Sequence, residues 1–334
     1  MKLRLSAVIT WFYWYPIRIL VQIVPRRTVV DIGRIIGTLD HWLRSGKNRI
    51  VSQELKKTDT MSLPAEKIKR LTRLSFQQSC AVMLETFCFP RINSDNIDRW
   101  MRVHGLDVLD RALASGKGVV IVLSHFGANQ MVMAALGYRG YSINQIGSRP
   151  DDWHRLSGQK PTALEKRIFR HRMRLEKSLP AQFLYIDKSM RPVFTALHNN
   201  QVMILAADGR AGARFFTVSL GNRRINLSAG PFRIAASTGA ALVPAFPVRN
   251  KDGVHDLFIE PPIHPQHTAS TESWAEQAAC LYAERLNSWI QQKPHHYAML
   301  MAEAFIRSSH DPVPLFEDYR NATQINNQHS HSGS

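Results

Sequence analysis

Cysteine is scarce in this chain: its 334 residues include only Cys80, Cys88 and Cys280. Their spacing fits no metal-ligand set, and their number is not the even count of a disulfide framework. We therefore expect three reduced core residues, no metal site, and a protein that faces the reducing cytosol.

Several motifs of well-known enzyme classes are also missing. The chain has no G-x-S-x-G, no G-x-x-x-x-G-K-[ST] and no H-E-x-x-H. These absences argue against a hydrolase nucleophile elbow, a nucleotide-binding P-loop and a zinc-binding histidine pair. Ser124 and His125 are adjacent, but neighbouring side chains on a strand point to opposite faces. We therefore do not expect them to form a nucleophile-base pair.

Acidic residues are few: 26 Asp and Glu stand against 43 Lys and Arg, a formal net charge of +17. Such a surplus favours polyanionic partners, which include nucleic acid, an anionic membrane and an acidic carrier protein. No helix-turn-helix, RNP, zinc-finger or KH pattern is present, and the aromatic residues do not alternate with the basic ones. We therefore predict an anionic membrane as a partner and no nucleic acid.

Long hydrophobic runs are rare, and the longest candidate is Leu5–Val24, with Arg18 as its only charge. Spanning a bilayer takes about 20 apolar residues, which this stretch barely supplies. It either spans marginally or lies among the headgroups, where its aromatic cluster and basic flanks are typical. No small-residue cleavage site precedes Arg26 and Arg27, which argues against a cleaved signal peptide. The remaining alternative is an ordinary buried first helix.

The rest of the chain divides by pattern into helical, alternating and polar parts. Residues 27–116 place apolar side chains at intervals of three and four, as amphipathic helices do. From Gly118 onward apolar strands alternate with amphipathic stretches, which predicts an α/β fold: a mixed, mostly parallel sheet flanked by helices. We predict a membrane-anchoring or interfacial helix at 1–27, an α/β domain at 28–307 and a polar, disordered tail at 308–334.

His125 is the first candidate for a catalytic base. It ends the apolar run VVIVLSH, which reads as a strand buried on both faces, and the carboxyl end of such a strand is where open α/β sheets place their sites. Histidine is mainly neutral at pH 7, so it can accept a proton from a hydroxyl group. The alternative is a histidine that only terminates a strand.

Four blocks in order carry a family resemblance: HFGANQ, DGRAG, FFTVSLGNRRINLSAGPFRIAASTGAALVPAFPVR and FIEPPI. Together with the N-terminal segment they are similar to the lysophospholipid acyltransferase superfamily, in particular its lipid A biosynthesis (lauroyl/myristoyl) branch. The resemblance extends to about residue 306 and implies an α/β fold without metal or redox cofactors. It also implies a place on the cytoplasmic side of a bacterial inner membrane. There the enzyme would move a fatty acyl chain from acyl carrier protein or coenzyme A to a membrane lipid.

Gln130 departs from the pattern of that family, which pairs the histidine with Asp or Glu five positions later. A glutamine can accept a hydrogen bond and so hold the imidazole tautomer, but it cannot stabilise an imidazolium by charge. Three alternatives stay open: Gln130 substitutes with reduced power, another carboxylate such as Asp208 takes the role, or the chain only binds. Asp208 follows the strand VMILAA, so it could reach the same pocket or simply cap a turn.

Phosphate-binding candidates are basic or lie near turns. Arginine forks match phosphate oxygens, which makes Arg149, Arg210 and Arg214 candidates for acceptor phosphates. The stretch LGNRRINLSAGP offers a polar, basic turn followed by small residues at a helix start. Its candidates are Asn222, Arg223, Arg224, Ser228 and Gly230. The alternative is a hairpin turn whose arginines face solvent.

The stretch 163–177 predicts a strongly basic helix. It could dock an acidic acyl carrier protein, lie along anionic headgroups, or present a solvated face. The resulting hypothesis is an acyltransferase that uses an acyl thioester, on acyl carrier protein or CoA, and a hydroxyl or amine of a lipid or glycolipid. The different-class alternative is a catalytically silent lipid-binding or complex-forming relative. The oligomeric state has no signature in the sequence.

Overall fold

A computed structural model describes residues 11–58, 62–147, 162–185, 189–210, 212–265 and 270–319. Of the predicted site residues, only Arg149 lies outside these ranges.

A seven-stranded sheet with the order β1-β9-β8-β2-β5-β3-β4 forms the centre of the molecule, and β6 and β7 form a separate antiparallel hairpin. All neighbours in the large sheet are parallel except β8 and β9. The predicted mixed, mostly parallel sheet is thereby confirmed. The strands are β1 (Met101–His104), β2 (Val119–Leu123), β3 (Ile143–Gly147), β4 (Ala181–Tyr185), β5 (Val202–Ala206), β6 (Phe215–Leu220), β7 (Arg223–Ser228), β8 (Ala241–Arg249) and β9 (His255–Ile259).

Helices cover both faces of the sheet, as the predicted fold requires. Along β2, Val120 and Val122 belong to one hydrophobic core and Val119, Ile121 and Leu123 to the other, because successive strand residues point to opposite faces. The α-helices are α1 (Arg18–Ile23), α2 (Arg26–Leu43), α3 (Ser45–Thr58), α4 (Ala65–Thr86), α5 (Leu106–Leu113), α6 (Val132–Gly137), α7 (Ala163–Lys177), α8 (Arg191–His198), α9 (Gly230–Thr238), α10 (Thr271–Gln292) and α11 (Ala298–Arg307).

The helical prediction for residues 27–116 holds for α2 to α5 but misses β1. This strand has four residues and pairs in parallel with β9, which lies more than 150 positions away in the sequence. A strand this short shows too little alternation to be read from its residues alone. Its partner is also too distant to be inferred from local pattern.

The N-terminal segment is helical from Trp11 to Ile23 and includes a π-helical turn, Tyr13–Ile17, that contains Pro16. It packs on α4, where the Trp14 ring lies edge-on to Phe87 with 4.9 Å between centroids. In the described ranges no helix is both long enough and apolar enough to cross a bilayer. Membrane association of this segment therefore remains a prediction.

The folded part of the chain continues past the predicted boundary at residue 308. The Asn226 N–H donates to the Leu315 carbonyl at 2.8 Å, Phe316 forms a bridge with Ile225, and Tyr319 is fully buried. Residues 311–319 thus line the outer edge of β7, where apolar Leu315, Phe316 and Tyr319 outweigh the polar composition on which the disordered tail was predicted. Residues 320–334 lie outside the described ranges.

Candidate active site

His125 and Asp208 meet at the carboxyl edge of the sheet. His125 follows β2 and Asp208 follows β5, and these strands are parallel neighbours, so their ends lie side by side. The imidazole Nδ1 lies 2.7 Å from Asp208 Oδ1. The carboxylate side chain is fully buried, whereas 46% of the imidazole side chain is exposed. The pair thus combines a fixed inner acid with an outer ring that a substrate can reach.

Three donors hold the Asp208 carboxylate. Besides the imidazole, its Oδ2 accepts from the His125 backbone N–H at 2.8 Å and from the Tyr297 hydroxyl at 3.1 Å. Both carboxylate oxygens are therefore occupied as hydrogen-bond acceptors. The backbone bond also ties Asp208 to the same residue whose ring it orients.

The geometry assigns the tautomer of the neutral imidazole. Nδ1 donates to an acid that only accepts when ionised, so Nε2 keeps its lone pair and is the basic nitrogen. The negative charge of Asp208 raises the pKa of His125 above its ordinary 6.5, against the lowering effects of burial and of the positive charges of Arg307 and Arg172. The ring is therefore a stronger base than free histidine.

Gln130 does not take the place of the missing acid in this geometry. It lies in the 3₁₀ turn Asn129–Met131, which leads into α6, and it is half-buried. Among the described residues, the His125 ring forms a hydrogen bond with Asp208 and none with the Gln130 amide. Of the two candidate partners, Asp208 is the one that is hydrogen-bonded to the imidazole.

Gly127 joins the site to the C-terminal part of the chain. Its N–H donates to the His296 carbonyl at 3.1 Å, and its φ of +58° is in the left-handed region. A Cβ atom there would lie 2.1 Å from the Pro247 carbonyl oxygen, so only glycine fits. His296 Nε2 in turn accepts from the Arg249 N–H at 3.0 Å. These bonds fix the segment that brings Tyr297 to Asp208.

Tyr297 and Tyr282 are the site residues that reading the sequence missed. Tyr297 lies 89 positions from Asp208, and Tyr282 bonds the Ser124 hydroxyl at 2.8 Å from 158 positions away. The only hint was the dense HHY group after the long helix α10. Ser124 faces Tyr282 and the core, in keeping with the expectation that it does not pair with His125.

Arg210 lies two residues beyond Asp208 and is partly fixed. Its Nε donates to Asp311 at 3.1 Å and its Nη1 to the Asn226 carbonyl at 2.9 Å, while the guanidinium stacks 4.2 Å over the Phe215 ring. Nη2 is buried with no hydrogen-bond partner in the described residues. Arg210 therefore has one guanidinium nitrogen that no described protein group uses.

The β6–β7 hairpin places the other predicted binding residues at two separate ends. The Ser228 N–H donates to the Ala207 carbonyl at 2.6 Å, beside Asp208, and Gly230 starts α9 nearby. The turn that holds Asn222 lies at the far end of β7, about 20 Å from Ser228, because six residue steps of about 3.3 Å separate the two. The β6–β7 hairpin agrees with the alternative interpretation of LGNRRINLSAGP as a hairpin turn.

The two arginines beside that turn form ion pairs within the protein. Arg223 is buried, binds Glu54 at 2.9 Å and Asp318 at 2.8 Å, and stacks on Phe316. Arg224 is exposed and pairs with Glu317 at 2.9 Å. The structure thus brings His125, Asp208, Arg210, Ser228 and Gly230 to one region, but it leaves Asn222, Arg223 and Arg224 away from it. Arg214 lies exposed just before β6.

Fold and site together define a class: an α/β protein with a half-exposed histidine, hydrogen-bonded to a buried aspartate, at the carboxyl edge of a mostly parallel sheet. Comparison with known families makes this specific. The chain belongs to the family described as bacterial lipid A biosynthesis acyltransferase, whose model matches residues 2–303. The resemblance inferred from the sequence is thereby confirmed.

The individual relatives share about a quarter to a third of their residues with this chain over the matched regions. A phosphatidylinositol mannoside acyltransferase of Mycobacterium tuberculosis is 31% identical over 166 residues, and the match spans about half of each protein, 48% of both lengths. The enzyme of the same name from Mycolicibacterium smegmatis is 26% identical over 72% of this chain and 77% of that protein. A lipid A biosynthesis lauroyltransferase of Escherichia coli is 24% identical over 75% of this chain and 79% of that protein.

Proposed function

We propose that this protein transfers a fatty acyl chain from an acyl thioester to a hydroxyl or amine of a lipid or glycolipid. The observation that carries the proposal is the half-exposed imidazole of His125, bonded at 2.7 Å to a fully buried Asp208. Family membership supports the reaction type. The names of the mycobacterial and Escherichia coli relatives support a lipid or glycolipid acceptor.

The reaction needs no covalent enzyme intermediate. Nε2 of His125 accepts the proton of the acceptor hydroxyl while the hydroxyl oxygen attacks the thioester carbonyl carbon. The tetrahedral intermediate then breaks its carbon–sulfur bond, and the imidazolium returns the proton to the departing sulfur. The products are an ester and a free thiol. Asp208 holds the tautomer and stabilises the transient imidazolium, and Tyr297 keeps Asp208 in place.

Positive charge around the dyad favours substrates that carry phosphate. Arg210 has a free buried donor, and the charges of Arg172 and Arg307 act on His125. The acyl-donor substrate is a thioester of acyl carrier protein or CoA, and both of these carry phosphate on the pantetheine arm. The same cations suit an anionic acceptor headgroup. We place the enzyme at the cytoplasmic side of a bacterial inner membrane, where these substrates meet.

The test compares three purified proteins with acyl-CoA or acyl carrier protein and an extracted bacterial lipid acceptor. His125→Ala is expected to lose acyl transfer. His104→Ala is the matched control, because His104 also pairs with an aspartate, Asp256, at 3.1 Å on the surface. Product is measured by mass spectrometry. Equal background amounts of acylated product with wild type and with His125→Ala would contradict the catalytic proposal and favour the lipid-binding alternative.

A further inference from the structure

The outer side of α2 carries an apolar stripe that is largely exposed in the described chain. Ile35, Leu39, Trp42 and Leu43 are 62%, 48%, 69% and 81% exposed. Isolated exposed apolar residues are common on protein surfaces, but a continuous stripe on one helix marks a binding surface. The rotation of α2 decides whether this exposure is a fixed property of the fold.

Two glycines fix that rotation. A Cβ atom at Gly33 would lie 2.5 Å from Ala81 Cα, and one at Gly37 would lie 2.5 Å from Gln77 Cα, so α2 contacts the backbone of α4 directly. At about 100° per residue, the stripe lies roughly half a turn from these glycines. Turning the stripe inward would drive larger side chains into α4. The outward stripe is therefore built into the packing.

The N-terminal segment extends the same surface. Tyr13 bonds Cys80 and Val21 is buried near Cys88, so residues 11–23 run along α4 beside α2. Their outward residues are also apolar and 44% to 75% exposed. They are Trp11, Phe12, Ile19, Leu20 and Ile23. We call these five residues and the α2 stripe together the docking face.

Cations border the docking face. The basic helix α7 meets the N-terminal segment where the Tyr15 and His171 rings lie 5.7 Å apart. Exposed Lys166, Arg170 and Arg174 follow one another at four-residue spacing along α7. Burial lowers the pKa of His171, and the positive charges of Arg18 and the neighbouring arginines of α7 lower it further.

We propose that the docking face lies in the plane of an anionic bilayer, with α2 and residues 11–23 as paired interfacial helices. Exposed Trp and aliphatic side chains bordered by Arg and Lys are the composition of such helices. An acidic carrier protein would match the cations but leave the apolar stripe in water. A second copy would bring a like charge of +17 against +17. The bilayer accounts for both features.

The inference deepens the proposed function and rests on it for the lipid acceptor. α7, which meets the N-terminal segment at Tyr15 and His171, also carries Arg172, whose positive charge acts on His125. Docking on this face requires no described helix to cross the membrane.

Co-sedimentation with phosphatidylcholine vesicles, with and without phosphatidylglycerol, tests the proposal on the full chain. The triple variant Ile35→Ser, Leu39→Ser, Trp42→Ser is expected to bind at least about tenfold more weakly to both vesicles, because it loses apolar insertion. Phe194→Ser is the matched control, since Phe194 is 42% exposed on α8, outside the docking face. The pair Arg170→Glu and Arg174→Glu is expected to lose the preference for phosphatidylglycerol.

Wild-type binding by the triple variant, or equal loss in Phe194→Ser, would overturn the proposal. A dimer of the wild type that the triple variant dissolves would also overturn it, because a second copy would then cover the face. Trp42→Ser alone, checked by circular dichroism and thermal unfolding, guards against misfolding. Catalysis is scored separately: the docking variants are expected to keep acyl transfer in detergent micelles, and His125→Ala to bind vesicles like wild type.

Discussion

Replacing Asp208 by asparagine keeps the size of the side chain but reverses the hydrogen bond on which the dyad depends. The His125 backbone N–H at 2.8 Å and the Tyr297 hydroxyl at 3.1 Å converge on Oδ2. The amide oxygen must take that position, because an NH₂ group there would face a backbone donor. The NH₂ group then faces Nδ1 and donates to it. The imidazole proton moves to Nε2, the nitrogen that has to accept the proton of the substrate.

The cost follows from this change of tautomer. The corresponding change in Ser-His-Asp hydrolases lowers kcat by about 10⁴, or about 5.4 kcal/mol of barrier at 1.36 kcal/mol per factor of ten. Here the aspartate is likewise buried and bonded at 2.7 Å. We expect Asp208→Asn to lower kcat about 10³- to 10⁴-fold with a small change in the KM for the acceptor.

The assay measures initial rates of acylated product by mass spectrometry at saturating thioester and varied acceptor, with thermal unfolding to confirm the fold. Gln130→Ala is the control, because Gln130 makes no bond to the ring, and its kcat is expected to stay within about threefold of wild type. An Asp208→Asn rate within tenfold of wild type would refute the assignment. So would an equally large loss in Gln130→Ala.

Three further outcomes are expected. Tyr297→Phe removes one of the donors to Asp208 and lowers kcat about 10- to 100-fold, as for a hydrogen bond to a charged group. Tyr282→Phe, the same change at another buried tyrosine, has little effect on kcat because that hydroxyl bonds Ser124. In a pH profile, kcat/KM falls on the acid side at a pH above 6.5, because Asp208 raises the pKa of His125 and only the neutral ring accepts a proton. Asp208→Ala shifts this acid-side decrease to lower pH. An unchanged position of the decrease in Asp208→Ala would contradict the effect of Asp208 on the pKa of His125. Arg223→Met removes an ion-pair partner of buried Glu54. The free energy of unfolding, measured in urea, is expected to fall by about 3 kcal/mol, with kcat and KM unchanged. Unchanged stability with a raised KM would instead make Arg223 a substrate-binding residue.

Local patterns predicted the parts of the site that follow buried strands. The runs before His125 and Asp208 are apolar and β-branched, so their strand ends, and the candidate pairing of the two, could be read directly. The family pattern pointed instead to position 130. Gln130 is near His125 in the sequence, but it lies in the turn that leads into α6. Sequence spacing cannot tell which of two candidates contacts the ring. That choice depends on β2 and β5 being neighbours in the sheet.

Contacts between distant parts of the chain could not be predicted. Arg223 looked like a phosphate ligand because its acidic partners, Glu54 and Asp318, lie 169 and 95 positions away. Tyr297 was invisible as a site residue for the same reason. The stripe on α2 was missed because amphipathic spacing shows that a helix has an apolar side, but Gly33 and Gly37 decide which side faces α4.

Asp208 and Arg210 are both anchored by side chains from the last stretch of the described chain, Tyr297 and Asp311. During synthesis the sheet strands emerge first, so a nascent chain can hold every strand of the sheet before these two anchors exist. These two anchoring contacts therefore form late, after the segment beyond α10 has left the ribosome. A chain cut before Tyr297 would keep the β2–β5 pairing that sets His125 beside Asp208, but it would lose the hydroxyl that holds Asp208 Oδ2.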